Sequence, residues 1–304
     1  FMNDGVLLLN KHAGVTSHDM IYRVRRAMGT RQVGHAGTLD PMAEGVLVIL
    51  VGRAAKACEY LSHDEKKYRA RLRLGMTTDT EDISGTCLSR SDFLPDADAV
   101  ASACAGFVGD STQIPPMYSA LKVNGQKLCD LARKGITVDR QPRPIVIFSL
   151  SCTPTDTPSD YLLDVHCSGG TYIRTLCADI GARLQCGGVM AALTRTQACG
   201  FSLCDCITAD ELDALSPEER QARLLPTESL FSDLPTCDLP DFYKTLLRNG
   251  CRVGQKKLHL CYENGTRLRL RCADGRFFAL GEVMPDPDTG ESCLRTCKLF
   301  ELDV

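Results

Sequence analysis

Six consecutive apolar residues, Val46–Val51, follow the turn Gly34-His-Ala-Gly-Thr-Leu-Asp-Pro-Met-Ala-Glu-Gly45. A run so short and uninterrupted reads as a buried strand, and Val6-Leu-Leu-Leu9, ahead of Asn10-Lys-His-Ala-Gly14, reads the same way. With 304 residues and 44% hydrophobic content the chain can bury one large core or two unequal ones. No window approaches the roughly eighteen apolar residues of a membrane span. The basic-then-apolar pattern of a signal peptide is missing, so a cytoplasmic protein is expected.

Between these strands, Thr16 or Ser17 caps a helix through Met28, with Met20, Ile21, Val24 and Met28 on one face and arginines largely on the other. Ala54–Leu61 reads as a short helix. Lys66–Leu74 alternates in its second half, which puts Arg69, Arg71 and Arg73 on one face and Ala70, Leu72 and Leu74 on the other. A helix is expected over Ala97–Phe107, then an ordered loop or hairpin in Gln113–Gly125, where two prolines and Asn-Gly break the pattern. Tyr161–Cys167 reads as a strand, and Ile173, Leu176, Ile180 and Leu184 follow helical spacing. Residues 205–241 are acidic, carry a short helix from Thr208 and end as a linker. Short strands follow through residue 302, with turns at Asn264-Gly265, Asp274-Gly275 and Pro285–Gly290.

Net charge is −3, but its distribution is uneven. Residues 1–76 carry twelve Lys and Arg against seven Asp and Glu, 241–283 nine against four, and 77–240 twelve against twenty-two. Basic ends around an acidic middle fit a protein that follows a phosphate backbone with selected faces, and fit solvated helix faces equally. The seventeen cysteines are odd in number in a long chain without export signals, so they read as reduced. No Cys-x-x-Cys occurs, and no metal is expected.

Walker, Gly-x-Gly-x-x-Gly, Gly-x-Ser-x-Gly and His-Glu-x-x-His patterns are all missing. What remains is one carboxylate, Asp40, in a glycine-rich turn. Asp-Pro can start a helix, the Asp oxygen accepting from a first-turn amide. The turn can also be the floor of a site, since Gly34 and Gly37 admit close approach and His35 and Thr38 add polar side chains.

Five blocks carry a resemblance: Gly34–Asp40, Lys67-Tyr-Arg69, Met117-Tyr-Ser-Ala-Leu-Lys-Val-Asn-Gly125, Gly170-Thr-Tyr-Ile-Arg-Thr175, and Leu193-Thr-Arg-Thr196 leading to Gly200-Phe-Ser202. In these the chain resembles the TruB-type tRNA pseudouridine synthases, and the blocks stand in that family's order. The resemblance implies an α/β (α+β) fold whose mixed, mainly antiparallel sheet carries the site in a central cleft. The catalytic domain would span residues 3–235, with an RNA-clamping insertion at about 113–135. Leu247–Gly254 and the strands after it resemble a small PUA-type RNA-binding domain, over 240–304.

By the same resemblance the chain would isomerise a T-loop uridine of tRNA to pseudouridine. It would do so without a cofactor, as a monomer that needs no protein partner and no membrane. Asp40 would be the catalytic carboxylate, as nucleophile or base, and Arg174 would keep it charged by lowering its pKa. Tyr68 would stack on the flipped uridine and could act as the acid or base at C5, and Tyr172 would line the pocket. His35 would help the flip, or else hold the turn together as a buried histidine. Lys11, Arg69 and Lys122 would contact RNA. The Arg69, Arg71 and Arg73 face would meet phosphate or balance acids elsewhere.

The chain departs from the family pattern at His12, Glu44, Ala55, Gly169 and Lys127-Leu-Cys129, none of them a catalytic group. Two other readings are a non-catalytic RNA-binding or RNA-folding protein and a guide-RNA-dependent synthase. The Gln113–Gly135 segment favours the stand-alone enzyme.

Overall fold

The computed structural model describes residues 4–61 and 65–300. Val46–Val51 makes up most of the strand Glu44–Val51, and all six side chains are buried. Leu47, Ile49 and Val51 point into one hydrophobic core while Val46, Val48 and Leu50 point into another. Gly5–Lys11 divides its residues likewise, Leu7 and Leu9 against Val6 and Leu8. A strand covered on both faces has no polar side, which is why these runs are continuous.

They belong to a ten-stranded sheet. Its order is Ile207–Thr208, Gly5–Lys11, Glu44–Val51, Gly188–Ala198, Lys66–Leu74, Asp160–Cys167, Arg143–Pro154 and Gly109–Gln113. Val33–Ala36 pairs with Glu44–Val51, and Phe201–Ser202 with Gly188–Ala198. Seven of the nine pairings are antiparallel. The strands Arg143–Pro154 and Gly188–Ala198 stand outside the elements expected from the sequence.

The helix Ser17–Met28 starts in a capping box between Thr16 and Asp19 and ends at Gly29 in the left-handed conformation. Its buried face is the expected one. Arg23, on the opposite side, pairs with Asp213 at 2.8 Å and with Asp210, both on the helix Ala209–Ala214. The expected helix at 54–61 is a 3₁₀ helix over Gly52–Tyr60. The break at 113–125 resolves into a hairpin, Lys122–Val123 with Gln126–Lys127 around Asn124-Gly125, and Lys122 is exposed on it.

Lys66–Leu74 keeps its alternation, with Tyr68, Ala70, Leu72 and Leu74 buried. Its arginine face is balanced by acids from the neighbouring strand. Arg69 stands directly opposite Asp164 and holds it at 2.8 and 3.3 Å. Arg73 stands opposite Asp160 and holds it at 2.9 and 2.8 Å, with Arg71 at 3.5 Å. Arg69, expected to contact RNA, is engaged by this cross-strand carboxylate while more than half of its side chain stays exposed.

A second, five-stranded sheet takes Thr236–Leu239, Arg267–Cys272, Phe277–Pro285, Ser292–Leu299 and Val253–Gly254 in that order. It begins ahead of residue 240, so part of the expected linker is a strand, and the helix Asp241–Arg248 follows. The expected strand end at residue 302 lies outside the described residues. Leu280 and Phe300 join the core beneath Val46, Val48 and Leu50, with Phe231, Phe277 and Phe300 ring to ring at 5.3 to 6.2 Å. The Tyr60 hydroxyl donates to the Cys297 carbonyl at 3.3 Å across the same junction.

Candidate active site

No helix follows Asp40. Pro41 and Met42 form a single turn closed by the Ala43 amide donating to the Asp40 carbonyl at 3.0 Å, and the strand begins at Glu44. The helix-start reading of Asp40 fails on this. Neighbouring elements fix the turn. Ser17, at the start of its helix, donates from Oγ to the Leu39 carbonyl at 3.1 Å and accepts from the Leu39 amide at 2.9 Å.

Lys11 adds a second tether. Its Nζ donates to the carbonyls of Val15 (2.7 Å), His12 (3.0 Å) and Pro41 (3.3 Å), and the residue is completely buried. The expectation that Lys11 contacts RNA is corrected: all three ammonium protons go to backbone carbonyls beneath the turn. Burial draws its pKa down to about 8.

Asp40 is joined side-on by Arg174, Nε to Oδ2 at 2.8 Å and Nη2 to Oδ1 at 3.2 Å. Arg174 comes from the first turn of the helix Ile173–Arg183 and is only 4% exposed. Its remaining donors reach the Tyr118 carbonyl at 2.7 Å and the Thr80 carbonyl at 3.3 Å. The pair implied by the resemblance forms, but the Asp40 pKa lies above its ordinary value. Burial outweighs the pull of Arg174, and Asp82 adds a like charge.

The carboxylate opens into a cavity of about 410 Å³, a size in the usual range for small-ligand sites. Tyr68, Tyr172, Arg174, Leu193 and Arg195 line it with Asp40. Tyr68 is 8% exposed, and burial raises its pKa against the pull of Arg195. Tyr172 is fixed by Gln113, which accepts from its amide at 2.9 Å and donates to its carbonyl at 3.1 Å. Burial raises its hydroxyl pKa also.

His35 stands apart from these. It pairs with Ile49 on the strand Val33–Ala36, behind the lining residues Ala36 and Gly37, and does not itself line the cavity. Its Nδ1 is buried without a hydrogen-bond partner, and burial lowers its pKa. Ser119, Ala120 and Leu121 of the expected insertion do line the cavity, and Lys122 follows them on the hairpin. No role was expected for Arg195, Leu193 or Ser119, although all three lie within the quoted sequence blocks.

The model of the TruB family pseudouridylate synthase N-terminal domain matches residues 25–173, and that of the tRNA pseudouridylate synthase B C-terminal domain matches 174–232. The chain is 43% identical over 247 residues to tRNA pseudouridine synthase B of Syntrophotalea carbinolica, covering 80% of each chain. It is 38% identical to the same-named protein of Clostridium novyi, covering 91% of this chain and 95% of that one. Among solved structures, Cbf5 in a crystal structure of a Cbf5–Nop10–Gar1 complex shares the fold. The TM-score is 0.75 at 23% identity, over 98% of this chain and 85% of that one. By these matches the chain belongs to the TruB family of pseudouridylate synthases.

Proposed function

We propose that this enzyme converts a uridine in the T-loop of tRNA to pseudouridine, acting alone and without a cofactor. The observation that carries the reading is the Asp40–Arg174 pair set in a nucleoside-sized cavity beside Tyr68. The isomerisation breaks the C1′–N1 bond, turns the base and joins C1′ to C5; N1 gains a proton and C5 loses one. It is redox-neutral. It requires a carboxylate held against sugar and base, as nucleophile or as base.

A stacked T-loop uridine must first leave its stack, at a cost of a few kcal/mol, for a pocket with an aromatic wall. Tyr68 and Tyr172 supply that wall, and Arg174 holds the carboxylate's orientation. The 113–135 insertion, seated at the cavity through Gln113 and the Tyr118 carbonyl, is the element that grips the T-arm. Lys122 sits exposed on its hairpin for a phosphate contact. The C-terminal sheet serves as a PUA-type RNA-binding unit. The relatives named tRNA pseudouridine synthase B support the choice of tRNA.

Tritium release from tRNA labelled at uridine C5 tests the reading, comparing wild type with Asp40→Asn. Release by wild type alone is expected. Release by both would remove Asp40 from the chemistry, and binding of tRNA without release by either would mark a non-catalytic RNA-binding protein.

A further inference from the structure

We propose that Arg195 is a positioning residue for this reaction: one buried guanidinium ties the Asp40 turn to the Tyr68 hydroxyl and sets the two groups at a fixed separation. The inference rests on the isomerase reading of the same cavity.

Arg195 lies on the central strand Gly188–Ala198, directly opposite Tyr68 on one side and Gly45 on the other. It is 1% exposed and lines the cavity. Its Nε donates to the Val46 carbonyl at 2.8 Å. Nη2 and Nη1 donate to the carbonyls of Gly37 at 3.0 Å and Thr38 at 3.4 Å, the residues that lead into Asp40. Tyr68, its register partner on the neighbouring strand, lines the same cavity, and the guanidinium's charge favours the ionised form of the Tyr68 hydroxyl.

Among the described residues Arg195 makes no ion pair. A buried cation without a carboxylate partner is costly, and a neutral donor could serve one or two carbonyls at lower cost. What a neutral donor could not supply is a fixed positive charge beside a phenol. The backbone makes room for this residue. At Gly45, with φ +104°, a Cβ would fall 2.2 Å from the Arg195 carbonyl oxygen. At Gly37, with φ +82°, it would fall 3.3 Å from Nη1.

The test measures single-turnover tritium release at saturating tRNA, with tRNA binding measured separately. The variants are Arg195→Gln, Arg195→Lys, Tyr68→Phe and each Arg195 variant combined with Tyr68→Phe. Arg195→Gln is expected to lower the rate about 100-fold, the scale of a small misplacement of reacting groups, with tRNA affinity unchanged. Arg195→Lys keeps the charge without the fork and should fall between the two. The Arg195 and Tyr68 losses should not multiply in the double variants.

Losses that multiply, a wild-type rate, or weakened binding with an unchanged saturated rate would each overturn the proposal. If Arg195→Gln does not fold, Arg195→Lys and its Tyr68→Phe double decide by the same criteria. A wild type that releases no tritium would overturn the isomerase reading itself, and this proposal with it.

Discussion

Replacing Arg174 with Met removes both N–H donors from Asp40 while keeping an unbranched stem of similar reach. Hydrogen bonds to a charged group contribute about 1.5–3 kcal/mol each. The Asp40 side chain is 34% exposed, so water restores part of the loss and the low end applies. Two bonds at about 1.5 kcal/mol give about 3 kcal/mol, or about 100-fold in the balance between charged and neutral Asp40, and the loss raises the Asp40 pKa further. Burial already holds that pKa above its ordinary value, and in the proposed reaction the charged form is the working one. Activity is therefore lost as pH falls through the folded pKa, and removing Arg174 moves that limb upward. Single-turnover tritium release from about pH 5 to 9 reads the shift. The variant's deficit should be large in acid and shrink as pH rises, with Arg174→Lys in between. A deficit constant across that range would refute the argument, because Arg174 would then act other than on the ionisation of Asp40.

The two cross-strand pairs on Lys66–Leu74 should differ in urea unfolding. Arg69→Ala, at an exposed pair, costs under about 1 kcal/mol, while Arg73→Ala leaves the buried Asp160 carboxylate short of donors and costs about 1–3 kcal/mol. Arg73 holds the Asp160 pKa below its ordinary value, so its stabilisation is present above the unfolded pKa and fades as pH falls through the folded one; equal costs for both variants, or an Arg73 effect independent of acid pH, would contradict this. Limited proteolysis within residues 116–135 should slow when tRNA is added, and cutting that is unchanged would count against the insertion as the RNA clamp.

The parts of the fold that could be read from the sequence are those where local chemistry and burial agree. A cap at Thr16 or Ser17 announces a helix that also buries Met20, Ile21, Val24 and Met28. Lys66–Leu74 alternates because one face is core and the other pairs with acids. The central strand Gly188–Ala198 gave no such signal. Met190-Ala-Ala-Leu193 suits a helix as well as a strand, and two register shifts break any period of two. Arg195 escaped notice for a related reason. In Thr194-Arg-Thr196 an arginine looks solvent-facing, and only the tertiary fold supplies the carbonyls of Gly37, Thr38 and Val46 that let it turn inward. Lys11 misled in the same way. Asp40 was visible as a carboxylate in a glycine turn, yet its partner Arg174 lies 134 residues along the chain, and local spacing could not join them.

Beneath Glu44–Val51 the two sheets share one core, in which Phe231, Phe277 and Phe300 meet Val6, Leu8 and Leu50. Strands from both ends of the chain thus form a single cooperative unit. Melting either sheet strips apolar cover from the other, so calorimetry should record one heat-absorption peak rather than two. A cut near residue 235 would not release a detachable module. It would uncover the floor of the strand whose first residues continue the Asp40 turn.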